Sequence, residues 1–190
     1  MSSKSTIQLP RPTAILWDLD GTLIDQTAAI IRCYREVIVD MGYAQPNDDV
    51  IRRSLGGVMA ATMGLFIESE HMDQAFKTFR KRIPEIMFNG LFLLAGGIEL
   101  IEQVYKARIP QVIFTNKHGD TARKVSRYAG FAKYIPICIG GADTQWHKPQ
   151  LALTQHVLDK IEVSAEGSII IGDSPTDIAV AHNAGLTCYC

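Results

Sequence analysis

Two carboxylates stand two residues apart at Asp18 and Asp20, directly after the apolar run 14–17. In an extended strand, residues i and i+2 point to the same side, so both side chains would project together from the end of a strand. Gly21 follows and allows a sharp backbone turn. Carboxylates this close repel each other unless a proton or a cation neutralises them. The pattern predicts a shared proton or a metal ion, although Asp and Gly also form simple turns.

Polar side chains also follow two later apolar runs of the chain. Thr115 and Asn116 end one run, and Asp173 and Asp177 follow another, while Lys148 precedes a predicted helix. Each has an alternative explanation as a helix cap, a turn, a first-turn acid or a solvent-exposed lysine. Open α/β sheets, however, bind ligands at the carboxyl ends of their strands. Together these positions predict one site that also includes the first two carboxylates.

The elements that must position these residues alternate between short apolar runs and amphipathic segments. Strands are predicted at 13–19, 111–115, 135–139, 168–171 and 186–190, and the intervening helices at 97–108, 120–129, 149–161 and 177–184. Apolar runs without alternation are typical of parallel strands buried on both faces. The pattern predicts an α/β fold, a doubly wound Rossmann-like parallel sheet.

The segment 25–92 shows helical periodicity without strand signals. Helices are predicted at 25–41, 50–55, 59–70 and 72–87, with Pro84 interrupting the last. We therefore expect a small all-α cap at 25–92 inserted after the first strand. The α/β catalytic core would comprise 11–24 and 93–190.

Composition excludes several classes of protein. The chain has 190 residues, 47% of them hydrophobic, and a net charge of −1, so nothing indicates nucleic-acid binding. No run approaches the roughly 18 apolar residues of a membrane span. Residues 1–12 lack the apolar core of a signal peptide, and the four cysteines lack zinc-type spacing. We expect a cytoplasmic protein, a monomer or a homodimer, that binds neither nucleic acid nor membranes.

Four motifs in order carry a resemblance to a known family. They are Asp-x-Asp-Gly-Thr-Leu at 18–23, Phe-Thr-Asn-Lys at 114–117, His-Lys-Pro at 147–149 and Gly-Asp-x-x-x-Asp at 172–177. In this arrangement the chain resembles the haloacid dehalogenase superfamily of hydrolases. The helical segment between the first two motifs is similar to the family's cap. The residues of the two middle motifs are similar to those of its phosphoglycolate phosphatase-like branch.

The resemblance implies a two-step phosphoryl transfer from a small phosphorylated metabolite. Asp18 would be the nucleophile that forms an aspartyl-phosphate. Asp20 would protonate the leaving oxygen and then activate water. The dehalogenases of the superfamily lack an acid at the second position, so Asp20 favours phosphate-ester chemistry.

The resemblance also implies a magnesium site and a phosphate-binding set. Mg²⁺ would contact Asp18, the backbone carbonyl of Asp20 and Asp173, with Asp177 in support directly or through water. Three further residues would hold the phosphoryl oxygens. These are Thr115, the backbone of Asn116, and Lys148.

Two other functions stay open at this point. A sugar phosphomutase would pass the phosphoryl group to another hydroxyl, and a regulatory phosphate-binding protein would retain a vestigial site. A phosphonate-cleaving relative would need a cap lysine, but Lys77 and Lys81 are expected on a solvent-exposed face. The break between helices at 52–57 could reach over the site, where Arg52 or Arg53 could bind a carboxylate or a second phosphate of the substrate. A pair of exposed arginines on a short helix is the simpler expectation.

Overall fold

The computed structural model describes residues 10–190, so most of the segment expected to precede the domain lies outside the described residues. The strands are β1 Ile15–Trp17, β2 Ile24–Asp25, β3 Phe92–Leu93, β4 Gln111–His118, β5 Cys138–Gly141, β6 Ile169–Ile171 and β7 Thr187–Tyr189. The α-helices are α1 Thr27–Asp40, α2 Asp48–Ser54, α3 Met59–Met63, α4 Met72–Ile86, α5 Gly97–Lys106, α6 Gly119–Tyr128, α7 Leu151–Lys160 and α8 Pro175–Ala184. Short 3₁₀ turns occur at Ser69–His71 and Phe131–Lys133.

Five strands form one parallel sheet in the order β5-β4-β1-β6-β7. The central strand β1 pairs with both β4 and β6, so that Trp17 lies opposite Ile113 on one side and Ile171 on the other. This register brings the carboxyl ends of three strands to one edge. The chain folds this way because its apolar runs can be buried from both faces of the sheet.

Two hydrophobic clusters cover the two faces of the sheet. Leu16, Phe114 and Ile170 belong to one cluster, which includes residues of α7 and α8. The neighbouring Ile15 and Ile113 belong to the other, which includes residues of α5, α6 and the helical segment. Alternate residues of each strand thus enter opposite clusters, which confirms the predicted doubly wound α/β core with helices on both faces.

The helical segment consists of α1 to α4 and is bordered by a two-stranded ribbon that the sequence analysis missed. In this ribbon β2 and β3 pair antiparallel, with Ile24 opposite Leu93. Strands of two residues leave too little periodicity to be recognised in a sequence. The ribbon lies at both predicted borders of the cap, so the chain enters and leaves the helical segment at adjacent positions.

Several predicted boundaries differ from those observed. The helix predicted at 59–70 ends at Met63, and a 3₁₀ turn replaces its last part. Pro84 does not interrupt α4, because it lies in the last turn, where Met87 N still donates to Ile83 O at 2.9 Å. Strand β4 extends to His118 instead of ending at residue 115. No described helix is long and apolar enough to cross a membrane.

Candidate active site

The ends of three adjacent strands bring the first predicted site residues together. Asp18 directly follows β1, Thr115 lies within β4, and Asp173 follows β6 after one glycine. Asp18 and Thr115 are buried, whereas Asp173 is exposed. Because β4 and β6 flank β1 in the sheet, residues about 95 and 155 positions from Asp18 in the chain become its neighbours.

Lys148 forms the centre of a buried ionic triad. Its Nζ lies 2.8 Å from Asp18 Oδ1 and 2.6 Å from Asp177 Oδ1. It also donates to the carbonyl oxygen of Phe114 at 3.1 Å. An ammonium group has three donor hydrogens, and these contacts engage all of them. The lysine side chain is 2% exposed, so it is not the solvent-exposed residue that its type alone would suggest.

Burial and charge act in opposite directions on this triad. Burial raises the pKa of Asp18 to about 6, against the opposing effect of the Lys148 cation. Burial acts to lower the pKa of Lys148, but the carboxylates of Asp18 and Asp177 outweigh it and raise that pKa. One buried cation thus serves two buried anions, and the group carries an excess negative charge when both are ionised.

Asp177 holds the lysine and begins a helix at the same time. It lies in the first turn of α8, where its Oδ2 accepts from the backbone N–H of Ser174 at 3.1 Å and from its hydroxyl at 2.6 Å. The Ser174 hydroxyl in turn caps the N–H of Asp177, which completes a capping box. Both carboxylate oxygens of Asp177 therefore already accept hydrogen bonds.

Asp18, Asp173 and Asp177 form an acidic cluster of the kind that could hold a metal ion. Their nearest carboxylate oxygens all lie within 4.8 Å of one another. Asp173 Oδ1 accepts a hydrogen bond from Thr22 at 3.0 Å. A set of carboxylate oxygens suits a hard cation such as Mg²⁺, so these residues fit the predicted ion. Since both oxygens of Asp177 are engaged, the donor set favours support by Asp177 over direct contact.

Gly21 allows Asp173 to approach the first motif. Its φ is +90°, and a Cβ atom there would overlap the carboxylate of Asp173. Replacement by a larger residue would therefore have to displace a proposed metal ligand. The glycine of the first motif is needed for space as well as for backbone conformation.

We expect Gly21→Ala to weaken Mg²⁺ binding at least tenfold beyond any loss of stability, because the new methyl group pushes Asp173 away. Gly42→Ala is a matched control, since Gly42 also has a positive φ, +86°, but nothing within 4 Å of its Cβ position. Both substitutions should lower stability by about 1 kcal/mol. Calorimetric titration of each variant with Mg²⁺ distinguishes them. Equal affinity for Mg²⁺ in the two variants would contradict this explanation.

Thr115 and Asn116 have separate roles in the second half of β4. Thr115 Oγ1 accepts from the backbone N–H of Lys117 at 3.1 Å, which leaves its own hydroxyl hydrogen free for a ligand. The Asn116 side chain pairs with the backbone of Lys148 in both directions, at 3.2 and 2.9 Å. Asn116 thus fixes the loop that carries the central lysine. The sequence analysis considered only its backbone.

A cavity of about 890 Å³ opens above these residues and is bordered by the helical segment. Its floor includes Asp18 and Thr115, and its wall includes Tyr34, Phe76 and Phe79 from α1 and α4. This volume lies in the range of sites for small metabolites. The helical segment therefore contributes the part of the cavity lining that includes these aromatic side chains.

The cap cations differ in their access to this cavity. Arg52 lines it but pairs with Asp49 at 2.8 Å, and its side chain is 59% exposed. Lys77 and Lys81 are exposed and do not line it. These two lysines are not placed for the catalytic role of a phosphonate-cleaving enzyme.

Lys117 and Gln26 are site residues that the sequence analysis missed. Lys117 pairs with Asp20, and its side chain is 8% exposed. Gln26 accepts from Lys117 at 2.8 Å and is itself buried. Lys117 belongs to the same motif as Thr115, but its residue type predicts a solvent-exposed side chain, so no signal in the sequence indicated its pairing with Asp20.

The raised pKa of Asp18 predicts a pH-dependent effect of Asp18→Asn on metal-free protein. When the pKa of a carboxyl group rises on folding, its protonated form stabilises the folded state. This stabilisation is complete below the pKa of the group in the unfolded chain, and it is lost as the pH rises through the folded-state pKa of about 6. Asparagine carries no such group. Between pH 4 and pH 7, the free energy of unfolding of Asp18→Asn should therefore rise relative to that of the parent by up to about 3 kcal/mol.

Urea unfolding in the presence of EDTA, at intervals across this pH range, measures the difference. Asp159→Asn, at an exposed aspartate of α7, is the control and should follow the parent. A difference between Asp18→Asn and the parent that does not change with pH would contradict the assignment of the shift to Asp18.

The comparisons with known proteins agree with this geometry. The sequence pattern of the family described as haloacid dehalogenase-like hydrolase matches residues 15–190. The chain belongs to this family. Phosphoglycolate phosphatases of Rhodospirillum rubrum and Rhodobacter capsulatus are 26% and 29% identical to it. The alignments cover 92% and 91% of this chain and 77% and 81% of those enzymes.

Solved structures show the same fold. A haloacid dehalogenase-like hydrolase from Streptococcus pneumoniae has a TM-score of 0.83 at 22% identity, covering 93% of this chain and 83% of that one. CbbY from Rhodobacter sphaeroides, solved in complex with phosphate, has a TM-score of 0.81 at 19% identity, covering 94% and 85%. The predicted family and enzyme class, a haloacid dehalogenase-type phosphatase, are confirmed.

Proposed function

We propose that this haloacid dehalogenase-like hydrolase is a Mg²⁺-dependent phosphatase that hydrolyses a small phosphomonoester through an aspartyl-phosphate on Asp18. The observation that carries the proposal is that Asp18, at the floor of the cavity, is held from behind by the buried Lys148, which also pairs with Asp177. A buried carboxylate held at 2.8 Å by a lysine has a fixed orientation towards an incoming phosphoryl group. A carboxylate that lines a cavity, has a raised pKa and has a specific charged partner is typical of a functional site, so the arrangement supports catalysis.

Asp18 and Asp173 would hold the ion, with the Asp20 backbone carbonyl as a further oxygen and Asp177 in support. When bound, Mg²⁺ supplies positive charge that lets a dianionic phosphate approach a carboxylate. The proposal takes its support from the acidic cluster and from the space that Gly21 leaves for Asp173.

The two aspartates of the first motif divide the reaction between them. An oxygen of Asp18 attacks phosphorus, and the bond from phosphorus to the ester oxygen breaks. The leaving oxygen takes a proton from Asp20. In the second step Asp20 accepts a proton from water, whose oxygen attacks phosphorus and releases Asp18. Asp20 is 30% exposed in its side chain, so it can reach both a substrate oxygen and water.

Thr115, Asn116 and Lys148 would stabilise the phosphoryl oxygens. The free hydroxyl hydrogen of Thr115 can donate to one of them, and the backbone N–H of Asn116 to another. Lys148 has all three donors engaged, so it contributes chiefly its positive charge and the orientation of Asp18. This set opposes the negative charge that the transition state spreads over the oxygens.

The proposed substrate is a small phosphorylated metabolite, and the protein is proposed to act in the cytoplasm as a monomer or a homodimer. The cavity volume of about 890 Å³ supports a metabolite-sized substrate. Relatives named phosphoglycolate phosphatase make 2-phosphoglycolate the first ester to test.

Release of inorganic phosphate from a panel of phosphomonoesters tests the proposal. The panel contains 2-phosphoglycolate, sugar phosphates and p-nitrophenyl phosphate, with Mg²⁺ or with EDTA. We expect Mg²⁺-dependent release from at least one ester. Transfer of the phosphoryl group to a sugar hydroxyl would identify a mutase, and inactivity on every ester would favour a regulatory phosphate-binding protein.

A further inference from the structure

Each of the two proposed catalytic aspartates has its own lysine. Asp18 pairs with Lys148, whereas Asp20 pairs with Lys117. Lys117 Nζ lies 3.1 Å from each oxygen of Asp20 and 2.8 Å from Gln26 Oε1. These three contacts engage its three donor hydrogens, so the ammonium group fixes both carboxylate oxygens of Asp20. The contact is sheltered, because the lysine side chain is only 8% exposed.

Gln26 connects this pair to the helical segment. It directly precedes α1, and its side chain is buried. Its amide nitrogen donates to the backbone carbonyl of Met87, the residue directly after α4. The amide therefore has one end on Lys117 and the other on the chain leaving the helical segment. A continuous set of polar contacts runs from Asp20 to Met87.

The end of β4 is shaped to place Lys117 there. The pairing of β4 with β5 changes register between Phe114 and His118. A Cβ atom at Gly140 would overlap the carbonyl oxygen of Lys117, so the glycine permits this close approach of the two strands. Register shifts of this kind re-aim side chains beside active sites. The strand pairing therefore fixes the position of Lys117, unlike that of a flexible lysine on the surface.

We propose that Lys117 and Gln26 are positioning residues that hold the Asp20 carboxyl group at the leaving oxygen and link its orientation to the exit of the helical cap. This inference rests on the proposed function, because the contacts of Lys117 with Asp20 can position a catalytic acid only if Asp20 transfers the proton. In the first step that proton moves to the ester oxygen as its bond to phosphorus breaks. In the second step a proton of the attacking water moves to Asp20.

The role predicts a dependence on the leaving group that a structural role would not produce. An alkyl ester oxygen must be protonated as it leaves, whereas p-nitrophenolate departs without a proton. A misplaced acid should therefore slow phosphoryl transfer from an alkyl ester and largely spare transfer from p-nitrophenyl phosphate. With the aryl ester the second step should become limiting, giving an initial burst of p-nitrophenolate equal to the enzyme.

Steady-state and burst kinetics of two variants, Lys117→Met and Gln26→Met, test the inference in the presence of Mg²⁺. Two substrates are compared: the alkyl ester that the parent cleaves best, and p-nitrophenyl phosphate. For Lys117→Met we expect kcat on the alkyl ester to fall about 100-fold with KM within twofold, together with a burst on the aryl ester. Gln26→Met keeps the charged Lys117 and Asp20, so it should show the same pattern with a fall in kcat of about tenfold. Lys124→Met, at an exposed lysine of α6, should match the parent.

Three results would overturn the inference. Parent-like kcat in both variants would show that Asp20 needs no such support. Equal losses on the two esters without a burst, or a loss confined to KM, would show that Lys117 serves folding or substrate binding. Absence of turnover by the parent on every ester would overturn the proposed function as well, whereas the first two results leave that function intact if Asp18→Asn is inactive.

Discussion

Asp18→Asn should lower kcat by about 10⁴-fold or more while the protein stays folded and binds its substrate with little change in affinity. An amide is isosteric with the carboxylate but cannot attack phosphorus. The neighbouring ion pair between Lys148 and Asp177 persists at 2.6 Å, so the surrounding site keeps its support. Steady-state phosphate release, with circular dichroism as a measure of folding, gives the result.

Asp159→Asn is the matched control for this prediction. Asp159 is an exposed aspartate on α7, so the same chemical change there should leave kcat unchanged. Turnover by Asp18→Asn within tenfold of the parent would exclude Asp18 as the nucleophile. Such a result would favour direct attack by water on the ester.

Lys148→Met should lower the free energy of unfolding by about 3–5 kcal/mol, because it leaves two buried carboxylates without their cation. The side chains of Asp18 and Asp177 are 10% and 0% exposed, so water can reach Asp18 only from the cavity and cannot replace the lost partner of Asp177. Lys124→Met, at an exposed lysine, should change stability by less than about 0.5 kcal/mol. Urea unfolding at pH 7 measures both variants.

A second substitution shows whether the loss is electrostatic. Asp177→Asn in the Lys148→Met background removes one of the unpaired anions and retains an oxygen that can accept from Ser174. The double variant should be more stable than Lys148→Met alone, since the two sites share one ion pair. Purely additive losses would mean that Lys148 stabilises the fold by packing.

Strand-end reasoning on the sequence was sufficient to predict which polar side chains the fold brings together. Asp18, Thr115 and Asp173 lie far apart in the chain, but each follows or ends a buried apolar run. Parallel strands meet at their carboxyl ends, so the three converge once the strand order places β1 between β4 and β6. This part of the site depends on local pattern and on a general rule of topology.

The side-chain contacts around Lys117 could not be predicted from the sequence, because they depend on how distant segments pack together. Lysine is normally exposed, so its type gave no sign that Lys117 would be buried against Asp20. The register shift that directs it lies between β4 and β5, whose pairing no local pattern encodes. The break after Met63 coincides with Gly64, the C-cap residue of α3, which is a local signal that the continuing helical periodicity of the segment obscured.

The central claim, a phosphoryl group carried on Asp18, is tested most directly by trapping it. Asp20→Asn should slow the second step more than the first when the leaving group needs no proton, so that protein quenched in acid during turnover of p-nitrophenyl phosphate retains the intermediate. Peptide mapping by mass spectrometry is expected to find one phosphoryl group on Asp18 and none after incubation with hydroxylamine. A phosphoryl group on another residue, or none in a variant that still turns over the ester, would contradict the proposed mechanism.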